Sequence, residues 1–272
     1  MQSEIREKYE ALQNILKLLG SVAVAYSSGV DSTFLIKVAK DVLGDKAVAI
    51  TVSSTVFPRR ELTESIEFCE SNGIIHKIIE VDELAIPGFA ENPTDRCYIC
   101  KKQIFTKILS EARAIGIDHV VEGSNTDDDG DYRPGRRAIA ELGVKSPLKE
   151  AGLSKSDIRL LSKELGLPTW DKPSFACLAS RFPYGERIDA DKLSRVEKAE
   201  DLLISMNFKQ FRVRLHGDIA RIELLPEEIG RLLDDAVRSQ IVQRFKEYGF
   251  TYVSLDLQGY RTGSLNETIV NK

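Results

Sequence analysis

No stretch of this 272-residue chain approaches the ~18 consecutive apolar residues that a membrane-spanning helix needs, so no such helix is expected. The amino terminus, MQSEIREKYEALQNILKLLG, is charged and reads as an amphipathic helix rather than a targeting segment, which makes a soluble, cytoplasmic protein the expectation. Basic runs are equally scarce, and the net charge is −4, so the long-range field does not favour nucleic acid. Histidine is limited to His76, His119 and His216, which lie at the ends of strand-like runs without ligand spacing. The four cysteines, Cys69, Cys97, Cys100 and Cys177, come without a secretory signal, which argues against a disulfide framework and toward metal binding or redox chemistry. Internal repeats and low-complexity segments are absent.

What is present is alternation. The strand-like runs SVAVAYS, KAVAITV, HKIIEV and DHVVEGS are separated by helical patterns over 32–43, 59–72 and 98–115. Such alternation predicts an α/β domain, a parallel sheet covered by helices. Two further helices are expected over 136–142 and 154–165, the second introduced by Ser154 as a cap and closed by Gly166 and Pro168. The segment 168–187, PTWDKPSFACLASRFPYGER, has neither period and reads as a linker or an ordered functional loop. Beyond it, a helix over 190–206, the strands KQFRVRLH and IARIELL, helices over 226–248 and a last strand TYVSLDL suit a small α+β domain. The expected division is 1–170 for the nucleotide-type domain, 171–187 for the functional loop and 188–272 for the smaller domain.

Within AYSSGVDSTFLIKVAK, residues 25–40, a strand feeds a turn of small residues and then a helix. That arrangement aims free backbone N–H groups and a helix dipole at an anion. There is no Lys-Ser/Thr pair of a Walker loop and no G-x-G-x-x-G. Ser27, Ser28, Gly29 and Ser32 let oxygen atoms approach, and Asp31 is expected to cap the helix. Taken alone, this could be an ordinary capped turn. The string S-x-G-x-D-S, however, resembles the SGGxDS pyrophosphate loop of the ATP pyrophosphatases, with Ser28 in place of the first glycine. Its hydroxyl could itself donate to a phosphate oxygen. The resemblance implies ATP split between its α and β phosphates, with adenylation of a carboxylate or carbonyl oxygen. In VVEGSNTDDDGDYRPGRRA, residues 120–138, acidic groups at a sheet's carboxyl edge can hold Mg²⁺ or the nucleotide, Asp127 being the candidate, although DDDGD alone would pass for a solvated turn. Arg133, Arg136 and Arg137 adjoin it.

Cys97 and Cys100 form a C-x-x-C at a helix start, and Cys177 lies in the Pro-rich loop. Four ligands close a structural zinc site, whereas three leave a coordination position open. The count favours an iron–sulfur cluster over zinc, with a zinc knuckle completed by a histidine as the alternative. Cys69 reads as a packed core thiol.

SSGVDS, CYIC, EGSNTDDDGDYRPGRRA, SPLKEAGLSKSDIRLLSKELGLPTWDKPSFACLASRFPYG and FRVRLHGDIARIEL together resemble the pyridinium-3,5-biscarboxylate mononucleotide sulfurtransferases, over nearly the whole chain. DYRPG and CLASRFPYG are the more specific of these motifs. The resemblance implies a sulfurtransferase of nickel-pincer nucleotide cofactor biosynthesis that adenylates a substrate carboxylate with ATP and Mg²⁺ and then displaces AMP with sulfur. One branch of that family sacrifices a single cysteine. The other is similar to iron–sulfur tRNA thiolases and holds a [4Fe–4S] cluster on three cysteines, the pattern that Cys97, Cys100 and Cys177 match. By the same resemblance Asp31 and Cys177 are the catalytic candidates, Ser180, Arg181, Arg212 and Arg214 surround the mononucleotide phosphate, and Glu200 and Glu223 are candidates for a divalent metal. Arg212 and Arg214 alternate along one strand and so share a face, which in an isolated pair would equally suit a solvent-facing edge. Sulfide or a sulfur donor, a small mononucleotide and a homo-oligomeric partner are the expected company. A tRNA 2-thiolation enzyme and a zinc-stabilised nucleotide-binding module are the competing readings.

Overall fold

The structure is a computed structural model that describes residues 3–130, 134–173 and 175–270. Asp131, Tyr132 and Arg133 of the DYRPG motif therefore lie outside the described residues. Contacts divide the chain into two units, residues 1–81 with 97–174 and residues 82–96 with 175–272.

The first unit contains α1 (Ser3–Leu19), β1 (Val22–Ala25), α2 (Val30–Leu43), β2 (Ala47–Ser53), α3 (Arg59–Ser71), β3 (Ile75–Glu80), α4 (Arg96–Ala114, whose first residue groups with the second unit), β4 (Val120–Val121), α5 (Gly135–Glu141), α6 (Pro147–Glu150) and α7 (Lys155–Glu164). Its sheet has the order β3-β2-β1-β4, and every pairing is parallel, as the alternating pattern predicts. A strand presents successive side chains to opposite faces. Val22 and Val24 accordingly join a core with Leu12 and Leu16 of α1, Phe34 and Val38 of α2 and Leu161 of α7. Ala23 joins a second core with Ile104, Phe105 and Ile108 of α4 and Ile139 of α5. The sheet is thus covered on both faces. Cys69 of α3 is fully buried in the first core, where burial pushes its thiol up to about 12, in keeping with a packing role.

Two sequence expectations change here. The run DHVVEGS gives only a two-residue strand, because Glu122, Ser124 and Asn125 leave the ladder for hydrogen bonds to one another and to the following loop. The single-turn α6 is an addition, since a helix of that length carries too few residues to show a period. At α7 the expected cap is realised as a capping box, with Ser154 accepting from the Asp157 N–H and Asp157 accepting from the Ser154 N–H.

The second unit contains α8 (Ala190–Ser205), β5 (Phe211–His216), β6 (Ile219–Leu224), α9 (Pro226–Ile229), α10 (Asp235–Glu247), β7 (Tyr252–Leu255) and α11 (Glu267–Val270). Its sheet runs β5-β6-β7, the first pair antiparallel and the second parallel. The helices expected over 226–248 are α9 and α10, separated at 230–234, where the Asp234 side chain accepts from the N–H groups of Ala236 and Val237 and starts α10. Among the described residues, no helix is long and apolar enough to cross a membrane.

Candidate active site

The loop between β1 and α2 stands at the carboxyl edge of the parallel sheet, where open α/β sheets bind ligands. Gly29 is the N-cap of α2 in extended conformation, without a side-chain capping bond. Asp31 therefore does not cap the helix. Its carboxylate instead takes the Lys155 ammonium at 2.5 Å and the Asn125 amide at 3.4 Å. Ser27 and Ser32 meet through their hydroxyls at 3.1 Å, and the Ser27 N–H donates to the Ser32 hydroxyl at 3.2 Å. Gly123 backs this loop closely: a Cβ there would stand 3.1 Å from both the Asp31 Cβ and the Ser32 nitrogen.

Ser28 has φ 51°, the left-handed region that costs a non-glycine residue about 1–2 kcal/mol. That conformation is the physical reason for glycine in the motif it resembles. The Ser28 hydroxyl is buried and turned toward Glu61, whose Oε2 lies 2.7 Å away and whose carbonyl lies 2.9 Å away. A phosphate oxygen would thus meet the backbone of residue 28 and not its hydroxyl. The Lys172 ammonium donates to the Ser28 carbonyl at 3.0 Å and to Glu61 at 2.7 Å, and it also reaches Glu64.

Asp127 is exposed, and its Oδ2 accepts from the Lys155 N–H at 2.9 Å, so it secures the start of α7 beside the loop. Cys97 and Cys100 lie in the first turn of α4, spaced so that both thiols share a side of the helix. A Cβ on Gly135 would stand 3.2 Å from the Cys97 carbonyl and 2.7 Å from the Lys101 side chain, which explains the glycine of DYRPG.

In the second unit Cys177 precedes a 3-10 turn over Leu178–Arg181. Its carbonyl accepts from the Ser180 N–H, the Ser180 hydroxyl and Arg181 Nη1 at 3.0, 2.8 and 3.2 Å, which fixes the backbone that carries the thiol. Arg181 and Glu200 form a fully buried two-pronged pair at 2.8 and 2.9 Å, and Glu200 also accepts from the Val213 N–H. Burial disfavours both charges. Their mutual attraction and hydrogen bonds outweigh it, holding the Glu200 carboxyl below its ordinary 4.5 and the Arg181 guanidinium above its ordinary value. Arg214 forms a matching pair with Glu223 at 3.0 and 3.0 Å and donates to the Ser180 carbonyl at 2.6 Å, while Arg221 reaches Glu223 at 3.1 Å. Arg212 is buried between the rings of Phe175 and Tyr260 and donates to the Phe211 carbonyl. Burial, then Arg181 and Arg214, pull its guanidinium down to about 10, so it remains protonated at neutral pH, and an anion beside it would be strongly attracted.

Arg212 and Arg214 do share a side of their strand, and that side is inside. Glu200 and Glu223 are committed to guanidinium groups with which a cation would compete. Among the described residues, no three His, Cys, Asp or Glu side chains stand together as a metal-holding group. Replacing Arg181 by Met leaves Glu200 buried without its partner, and a loss of about 3–5 kcal/mol in urea unfolding is expected. Because the folded carboxyl is held low, the contribution of this pair is complete above about pH 4.5 and is lost as the pH falls through the lower folded value.

Sequence reasoning missed Lys155, Lys172, Glu61 and Gly123. Lys155 was within reach, since it follows the Ser154 cap directly and so occupies the first turn of α7. Lys172 and Glu61 carry no local signal.

A parallel sheet with an S-x-G-x-D-S loop feeding its second helix defines an α/β fold of the ATP pyrophosphatase class, and a glutamine-hydrolyzing GMP synthase chain of Thermoplasma volcanium is 24% identical over 177 residues, 60% of this chain and 56% of that protein. No family model matches the chain. An uncharacterized protein of Synechocystis sp. is 44% identical over 97% of this chain and 99% of its own length. The pyridinium-3,5-bisthiocarboxylic acid mononucleotide synthase of Lactiplantibacillus plantarum is 38% identical over 96% of this chain and 95% of its own length. The chain belongs to the family of that synthase.

Proposed function

We propose that the protein uses ATP to convert a carboxylate of a pyridinium dicarboxylate mononucleotide into a thiocarboxylate. A carboxylate oxygen attacks the α phosphorus, the bond to the β phosphate breaks and pyrophosphate leaves. Sulfide then attacks the acyl carbon and AMP departs with the electrons of the broken carbon–oxygen bond. The observation that carries this reading is the loop Ser27–Ser32, set at the start of α2 with the Lys155 ammonium held against Asp31. Free N–H groups at a helix start and a nearby ammonium favour the charge that builds on a leaving pyrophosphate. Mg²⁺ would be carried chiefly by the phosphates of ATP. The name of the Lactiplantibacillus relative supports the mononucleotide as substrate, and the buried arginines Arg212 and Arg214 suit its phosphate and carboxylates.

Cys97, Cys100 and Cys177 are three thiols of the type and number that suit an iron–sulfur cluster, although among the described residues they do not already stand together as a metal-holding group. A [4Fe–4S] cluster held by these three residues would supply an iron able to keep sulfide for transfer. The chain's own part is to hold the thiols: Cys97 and Cys100 on one helical turn, Cys177 on a backbone pinned by Ser180 and Arg181.

Incubation with ATP, Mg²⁺ and the mononucleotide is expected to release AMP and pyrophosphate, read by chromatography and a pyrophosphate assay. ADP and phosphate as products would refute the proposal.

A further inference from the structure

Lys172 lies in the Pro-rich segment 168–187, five residues before Cys177, and the proposed function gives it no role. Its side chain is only 14% exposed, and its three N–H donors meet three acceptors: the Ser28 carbonyl, Glu61 and Glu64. Glu61 closes the circuit by accepting from the Ser28 hydroxyl. Residue 28 is thereby held at both its carbonyl and its side chain by one lysine–carboxylate pair. The lysine is itself anchored. Arg159, one turn into α7, donates to the carbonyls of Trp170 and Lys172 at 2.7 and 2.8 Å. The same helix starts with Lys155, which grips Asp31 at the other end of the loop.

We propose that Lys172, through Glu61, is a positioning residue of the pyrophosphate loop, holding Ser28 in the left-handed conformation that turns the loop's N–H groups toward phosphate. The need for it comes from the serine. Glycine adopts φ 51° without steric cost, whereas an L side chain must be held there by its surroundings. Serine at position 28 and the Lys172–Glu61 pair therefore form one device. The proposed action of Lys172 is on the occupancy of the binding-competent loop.

This inference rests on the adenylation reading for its consequence, but not for its test. Hydrogen exchange of the segment 26–33 in the full chain would be compared among wild type, Lys172→Met, Ser28→Gly and the double variant, with ATP affinity measured by calorimetry on the same proteins. Lys172→Met should speed exchange of the segment and weaken ATP binding, each by about tenfold, the size of a lost charge-assisted hydrogen bond. In the Ser28→Gly background the same replacement should change either quantity by less than about threefold, a coupling that a merely structural lysine would not produce. Glu61→Gln serves where Lys172→Met folds poorly, with the same dependence on residue 28 expected. Unchanged exchange in Lys172→Met, or an equal effect with serine and with glycine, would overturn the proposal. Should the wild-type protein bind no ATP, the adenylation reading fails while the exchange cycle still decides the role of Lys172.

Discussion

Replacing Asp31 by Ala is expected to lower AMP and pyrophosphate formation by about a hundredfold to a thousandfold, the scale of removing a preorganised electrostatic contact at a transferring group. The geometry separates this effect from damage to the fold. Asp31 is partly exposed, and α2 begins at Gly29 without help from any side chain, so neither core nor cap depends on the carboxylate. An ion pair of this exposure contributes only about 0–1 kcal/mol to stability, and the thermal midpoint should move little. What is lost is the anchor that keeps the Lys155 ammonium beside the loop, together with the partner of Asn125. Asp31→Asn, which keeps the shape and removes the charge, should fall close to Asp31→Ala. Chromatographic quantification of AMP beside a thermal melt checks both halves, and wild-type turnover in Asp31→Ala would refute the assignment of this loop.

How much of this was legible in the sequence depended on whether the controlling forces are local. The alternating pattern specified the parallel sheet and its covering helices, because burial on both faces leaves apolar strands of small period bounded by turns. Ser154 and Asp157 announced α7 through a capping box, an interaction within four residues. Asp31 looked like a cap for the same kind of local reason. It proved otherwise because Gly29 holds the N-cap position and a more strongly attracted partner, Lys155, arrives from 124 residues away. Lys172 was invisible for that reason too: it meets Ser28 across 144 residues and Glu61 across 111. The alternation in FRVRLH placed Arg212 and Arg214 on one side of their strand, but only the structure reveals that side to be buried, with Glu223 across the pair from Arg212 and Arg221 across from Arg214. Charge patterns read as surface by default, and these arginines depart from that default because carboxylates and rings were folded in with them.

Conversion of Cys97, Cys100 or Cys177 to Ala one at a time separates cluster-borne sulfur from a sacrificed cysteine, and the expected result is the same for all three: loss of bound iron, of labile sulfide and of thiocarboxylate product together. The first two thiols belong to one helical turn, so losing either leaves a single donor on α4. Cys177 is held on the 3-10 turn whose start is fixed by Ser180 and Arg181, and its loss removes the one donor contributed there. If Cys177 acted instead by giving up its own sulfur, Cys97→Ala and Cys100→Ala would retain a single turnover, and each wild-type chain that reacted would lose about 34 Da as its cysteine became dehydroalanine. Iron and sulfide analysis of anaerobically purified protein, with intact mass measured before and after turnover in the presence of sulfide, reads the difference directly. Repeated turnover at unchanged mass is the expected outcome. A stoichiometric mass loss located at Cys177 would refute the three-cysteine assignment.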